Sequence, residues 1–226
     1  MRTIQNIRRR VMSWRMSKLS IDERFALIYR SGGWFRNLET RSGAGSTLEA
    51  TQTLRQELPH ILAKLECKKL LDIGCGDFNW MKETKLQCQY LGVDIVRDLI
   101  RENTLRYETE SIKFSYLDAT KDKIPSGYDV IFCREVLFHL SNQDVSKVLG
   151  NISKSNARFL IVTNMSLSKS NTDIISGGYR PLDLRKEPFS LCEPIYEIKD
   201  NVVSSTRTLG VWEIKDLTRD SMQVER

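Results

Sequence analysis

The chain has 226 residues, 40% hydrophobic and 28% charged, which suits one ordinary globular domain with a real core. Its net charge of +6 is not spread evenly: six of the 35 Lys and Arg stand in residues 1–20 with no acid, leaving 29 cations against 29 anions in the body. That neutrality argues against a polyanion-binding fold, and no apolar run approaches the roughly 18 residues that span a bilayer.

At the N-terminus Ile4, Ile7, Val11 and Trp14 recur at helical spacing, with Arg8, Arg9 and Arg10 mostly on the other side. Such a basic amphipathic helix either packs on the body, meets a partner chain, or lies on an anionic membrane. It lacks the apolar core of a secretory signal, so a cytoplasmic, at most membrane-peripheral protein is expected. The five cysteines are scattered, odd in number and without metal-like spacing. Reduced thiols are therefore expected, and with only His60 and His139 available, no metal site.

A second helix is expected near Ile21–Tyr29, followed by a glycine-bearing loop. In GSTLEATQTLRQELPHILAKLE, Ser46 and Glu49 read as a capping box on a helix that Pro59 should kink or interrupt. The chain then alternates. KKLLDIGC, YLGVDIV, IKFSYLDAT, YDVIFCRE and RFLIVTNM read as strands, and NWMKET, RDLIRENTLRYE and NQDVSKVLGNISKS as helices. IYEIKD and TLGVWEIKD read as a closing antiparallel hairpin. The expected fold is α/β: a Rossmann-like, seven-stranded, mostly parallel sheet with helices on both faces, that hairpin, and an N-terminal helical extension. Residues 1–66 read as N-terminal helices forming a cap or lid region and 67–226 as the main domain, compact together.

The first strand ends in Asp72-Ile73-Gly74-Cys75-Gly76-Asp77. Gly74 and Gly76 begin a dinucleotide fingerprint, but Asn79 stands where the third glycine belongs, and Asp72 and Asp77 would repel a pyrophosphate. A cationic ligand reverses that objection. S-adenosylmethionine carries a sulfonium and an ammonium, and Asp94 and Asp118 end the next two strands at the same sheet edge, where open α/β sheets bind ligands.

LLDIGCGD, GVDIV, FSYLDAT and YDVIFCREVLFHL together resemble the ordered motifs of class I S-adenosylmethionine-dependent methyltransferases, over roughly residues 67–165. The resemblance implies that Asp72, Gly74 and Gly76 hold the methionine end, Asp94 the ribose, and Asp118 with Ala119 the adenine, with Cys75, Asp77 and Ile95 also in the cofactor-binding set. Cys133 joins this cofactor-binding set. SGAGSTLEAT, CGDFNWM, CREVLFHLS and GGYRPLDLRKEPF further resemble a bacterial subgroup of small methyltransferases associated with surface-polysaccharide gene sets. It implies a context in polysaccharide biosynthesis without fixing the acceptor, and the leading reading is methyl transfer to a small polar acceptor.

For catalysis the candidates are His139 or Glu135 as base, with Arg134 anchoring an anionic group; VLFHL equally reads as a packed turn with a structural histidine. Substrate-binding candidates are Arg41, Ser46 and Thr47 at a helix N-terminus, Asn79 and Trp80, and Asn171, Tyr179 and Arg180 in the long segment after the fifth strand. Arg41, Arg134 and Arg180 motivate an anionic acceptor such as a phosphate-bearing sugar. RNA or protein methylation, and a non-catalytic cofactor-binding module, are the other readings.

Overall fold

The structure is a computed structural model and describes residues 16, 18–32, 39–166, 169–200, 204 and 206–217. The amphipathic stretch Ile4–Trp14 lies outside them. Seven strands form one sheet: β1 (Lys69–Ile73), β2 (Gln89–Asp94), β3 (Ile112–Tyr116), β4 (Val130–Cys133), β5 (Phe159–Met165), β6 (Tyr196–Lys199) and β7 (Arg207–Glu213). Their order is β3-β2-β1-β4-β5-β7-β6; β7 runs antiparallel to β5 and to β6, and every other pair is parallel. The expected architecture is thus present, hairpin included.

Burial follows position in the sheet. All residues of β4 and β5 are buried, as strands covered on both faces require, whereas only Phe114 of β3 and Ile198 of β6 are buried at the edges. Among the described residues four α-helices complete the fold: α1 (Ile21–Ser31), α2 (Gln52–Lys64), α3 (Arg97–Tyr107) and α4 (Asn142–Ser153). Leu54, Leu58 and Leu62 of α2 and Leu99 of α3 pack with Tyr90, Phe132 and Ile161 on one face of the sheet. Val145, Val148 and Ile152 of α4 pack with Leu71, Ile131 and Leu160 on the other.

Three local expectations change. Helix α2 starts at Gln52, not after Ser46: Ala44–Ser46 is a 3₁₀ turn, and Thr47 and Thr51 bond to loop carbonyls instead. The helix also continues through Pro59, because Leu54, Leu58 and Leu62 hold one buried stripe across it. NWMKET forms only a 3₁₀ turn, Met81–Glu83. Phe78 adopts positive φ (58°) and drives its ring among Tyr90, Tyr107 and Phe114, ending the βα turn early. Thr84 then bonds back to the Trp80 carbonyl and turns the chain towards β2.

Among the described residues no helix is long and apolar enough to cross a membrane. Leu160, fully buried in β5, anchors the second face. Leu160→Ala should cost about 2–5 kcal/mol by urea unfolding, while Leu105→Ala, at a position 80% exposed, should stay within about 0.5 kcal/mol.

Candidate active site

The strand order reverses between β1 and β4, and there a crevice opens at the carboxyl ends of the strands. Its space, open mouth included, is about 1080 Å³. The turn after β1 supplies Asp72 to Gly76, β2 supplies Asp94 and Ile95, the segment after β3 supplies Leu117 to Thr120, and β4 supplies Phe132 and Arg134 to Val136. Gly74 has φ 75° and a Cβ there would stand 2.2 Å from Val136 Cγ2, so only glycine lets β1 and β4 close on each other.

Three strand-end aspartates line this crevice, with Glu135 beyond β4 as a fourth acid. Asp72 is buried and accepts a hydrogen bond from the Tyr90 hydroxyl at 2.6 Å. Burial pushes its carboxyl up to about 7, against the lowering effect of that bond. Asp94 accepts from the backbone N–H groups of Gly76 (3.2 Å) and Val96 (2.9 Å); burial still raises its carboxyl above the usual range. Asp118 is turned partly into its own loop: Oδ1 accepts from Thr120 N–H and Oγ1, and Oδ2 meets the Lys121 ammonium at 3.0 Å. The nearest buried cation, Arg134, is spent on Asp200 at 2.9 Å through both Nε and Nη2. The crevice therefore has carboxylate in excess of available cation, between apolar walls of Ile73, Ile95, Leu99, Leu117 and Phe132. A flat base with a cationic sulfonium chain fits that donor set; a pyrophosphate does not.

Of the expected cofactor contacts, Asp72, Gly74, Cys75, Gly76, Asp94, Ile95, Asp118 and Ala119 all line the crevice. Two others do not. Asp77 faces the preceding loop, accepting from Thr40 Oγ1 (2.8 Å) and Arg41 N–H (2.7 Å). Cys133 is wholly buried in the core on the other face, because alternation along β4 turns it away.

The acceptor set is revised more heavily. Arg41, Ser46, Trp80, Arg134, Glu135 and His139 line the crevice. Thr47 caps its own turn, and Asn79 is buried as a tie between Glu39 and the Ser46 carbonyl. Asn171 donates to the carbonyls of Asp183, Lys186 and Glu187. Arg180 is 3% exposed and donates to the Thr172 and Leu137 carbonyls and to Asn142 Oδ1. Tyr179 packs edge-on to Phe138 beside the crevice, not in its lining. The three arginines do not converge. Arg134 and Arg180 hold protein groups, and Arg41 alone of them lines the crevice without a buried carboxylate partner, lying 4.9 Å over the Tyr29 ring.

Arg134 belongs to a buried quartet with Asp200, Arg207 and Glu135. Arg207 pairs with Asp200 at 3.3 Å and with Glu135, and Arg134 meets Glu135 at 3.4 Å. Glu135 holds positive φ (59°), donates its N–H to Thr163 Oγ1, and sits where a Cβ on Gly45 would be. His139 Nδ1 lies 2.7 Å from the Gly178 carbonyl, which can only accept, so the proton is on Nδ1 and Nε2 carries the lone pair. Burial pushes this imidazole down to about 4, and it is neutral at physiological pH.

Ile21, Phe25 and Tyr29 of α1 also line the crevice, as does Ser42, whose Oγ accepts from Asp77 N–H. The apolar i, i+4, i+8 spacing of the first three was visible in the chain, but not what it faced. Among the described residues no group of three or more His, Cys, Asp or Glu could hold a metal ion.

Residues 71–157 match the family model of a methyltransferase domain. Over 107 residues it is 29% identical to the ubiquinone biosynthesis O-methyltransferase of Rickettsia conorii, covering 45% of this chain and 36% of that one. Over 98 residues it is 34% identical to the small RNA 2′-O-methyltransferase of Rattus norvegicus, covering 36% and 25%. The chain thus spans between a quarter and about a third of these curated relatives' length. The solved structure of PigF with SAH superposes with a TM-score of 0.58 at 17% identity, over 84% of this chain and 62% of that one, so the fold is shared.

Two outcomes follow from the site's electrostatics. Removing Asp200 leaves two buried guanidiniums with one carboxylate, so Asp200→Ala should destabilise by about 3–5 kcal/mol in urea unfolding. Asp72, whose folded value near 7 lies above its unfolded value of 3.8, contributes stability below pH 4 that is lost as pH rises through 7. A bound cation favours the ionised form, so S-adenosylmethionine affinity by calorimetry should rise between pH 6 and 8, and Asp72→Asn should flatten both profiles.

Proposed function

We propose that this chain is a transferase that moves a methyl group from S-adenosylmethionine to a hydroxyl of a small polar acceptor, such as a sugar or a phosphate-bearing glycan precursor. One observation carries the reading: three strand-end carboxylates line a single crevice at the switch point of a methyltransferase-like sheet. Asp72 and the Gly74–Gly76 turn hold the methionine end, Asp94 the ribose hydroxyls, and the Asp118–Ala119 segment the adenine. The sulfonium supplies the activated methyl group, so the chain's task is to align the acceptor and exclude water.

Alignment falls to the residues on the α1 side of the crevice. Tyr29, Arg41, Ser46, Trp80, Glu135 and His139 offer an aromatic and hydrogen-bonding wall suited to a polyhydroxyl compound. Among the described residues lining the crevice, Arg41 is the cation not held by a carboxylate, so affinity for a phosphate-bearing acceptor would rest on it. His139 presents a neutral ring whose lone pair lies on Nε2, an acceptor for a hydroxyl proton rather than a strong base. Residues 1–66 serve as a cap over the domain of residues 67–226; the three α1 side chains in the crevice support that division. The motif likeness to methyltransferases of surface-polysaccharide gene sets supports a glycan precursor made in the cytoplasm, and both curated relatives are O-methyltransferases. The small-RNA relative favours RNA as the second reading, against the neutral charge of residues 21–226.

Incubation with methyl-labelled S-adenosylmethionine and fractionated cell extract tests this. Label should enter a small polar compound, with base-stable, ether-type attachment. Label appearing only in RNA would replace the acceptor proposed here. Asp94→Asn, which weakens charged hydrogen bonds worth about 1.5–3 kcal/mol, should lower cofactor affinity roughly tenfold to a hundredfold.

A further inference from the structure

The five cysteines look unrelated in the chain, yet the fold brings two of them together. Cys67 follows α2, its N–H bonded to the Leu62 carbonyl at 2.9 Å, and leads into β1; Cys88 leads into β2. The strands pair in parallel with Lys69 opposite Gln89, and Gln89 N–H donates to the Lys68 carbonyl. Cys67 and Cys88 thus stand beside the two residues, Lys68 and Gln89, that this bond joins at the entry to the strands. Cys67 belongs to the hydrophobic cluster on the α2 face of the sheet and Cys88 packs against the same cluster. Both line a second cavity, with Pro59, Gln87, Asp129 and Arg158, at the opposite end of the sheet from the crevice.

The two sulfurs differ. Cys67 is 9% exposed and Cys88 half-buried. The neighbouring Cys88, together with burial, raises the Cys67 thiol, and the neighbouring Cys67 lowers that of Cys88. Cys88 is therefore the better thiolate and the more reachable one, with a second sulfur beside it. Cys75 and Cys133 are buried, and Cys192 is exposed.

We propose that Cys67 and Cys88 form an oxidisable dithiol, a modification site that a hydroperoxide converts into an intramolecular disulfide linking the starts of β1 and β2. The Cys88 thiolate attacks the peroxide O–O bond, giving a sulfenic acid and, with hydrogen peroxide, hydroxide that is protonated to water. The Cys67 sulfur then attacks the Cys88 sulfur; the S–O bond breaks, and the oxygen leaves as water with the Cys67 proton. Two thiols and one hydrogen peroxide thus become one disulfide and two waters. The site is separate from cofactor binding and does not depend on the acceptor.

The test uses the reduced full chain, treated with one equivalent of hydrogen peroxide, alkylated without reduction and mapped by mass spectrometry. A Cys67–Cys88 linked peptide should form, lighter by two hydrogens and restored by dithiothreitol. Cys67→Ser should lose the link and accumulate a Cys88 sulfenic acid that dimedone traps; Cys192→Ser should leave the link intact. Because Cys67 is buried, Cys67→Ala is run beside it, with far-ultraviolet circular dichroism to select the folded variant. Independent alkylation of both thiols after peroxide, or links formed only between chains through Cys192, would overturn the assignment.

Discussion

A carboxylate sits at the floor of the crevice with one phenol for company, and the rest of the site is arranged around that unbalanced charge. Asp72 cannot be solvated where β1 places it, and Tyr90 supplies a single hydrogen bond. Asp94 is better provided, with two backbone donors, and these same bonds draw the Gly76 and Val96 backbones together. Each acid therefore has two tasks: it shapes the turn that carries it and leaves a negative field over the cavity. That field selects a cationic ligand before any contact is made.

Positive charge on the β4 side is locked away by equal negative charge. Arg134 and Arg207 face Asp200 and Glu135, two against two, nearly all of it out of solvent. The quartet joins the end of β4 to the C-terminal hairpin, so the strand pair last in sequence fixes the wall of a crevice built from the first four strands. Gly45 belongs to the same arrangement, since its missing side chain leaves room for the Glu135 carboxylate. Whatever the acceptor, this wall presents a set geometry and little net charge.

The central strands were legible because burial on both faces turns them into unbroken apolar runs, and the edge hairpin because its segments alternate. The acid at each strand end could be read for the same reason, as a polar residue closing an apolar run. The NWMKET helix failed on one conformation: nothing in the residue types announces that Phe78 takes positive φ. Pro59 misled in the other direction, since a continuous buried stripe outweighed one missing backbone bond. Among site residues, local partners decided the outcome. Asn79, Asn171 and Arg180 carry the side chains of ligand-binding residues, yet each is consumed by backbone carbonyls distant in sequence, which a linear reading does not reveal. The meeting of Cys67 and Cys88 was hidden likewise, because it depends on how the ends of α2 and of two strands pack together.

Helix α1 bridges two parts of the protein that otherwise stand apart. Arg30 meets Asp98 at 2.7 Å and Tyr29 meets Glu102 on α3, while Arg24 reaches the Ser176 carbonyl in the long segment after β5. It also roofs the crevice with three apolar side chains. Few, partly hydrated polar contacts hold this strap, and of them the exposed Arg30–Asp98 pair is the one that dissolved ions weaken. Ionic strength thus acts on the seating of α1 against α3 and leaves the buried Arg134–Asp200 pair alone.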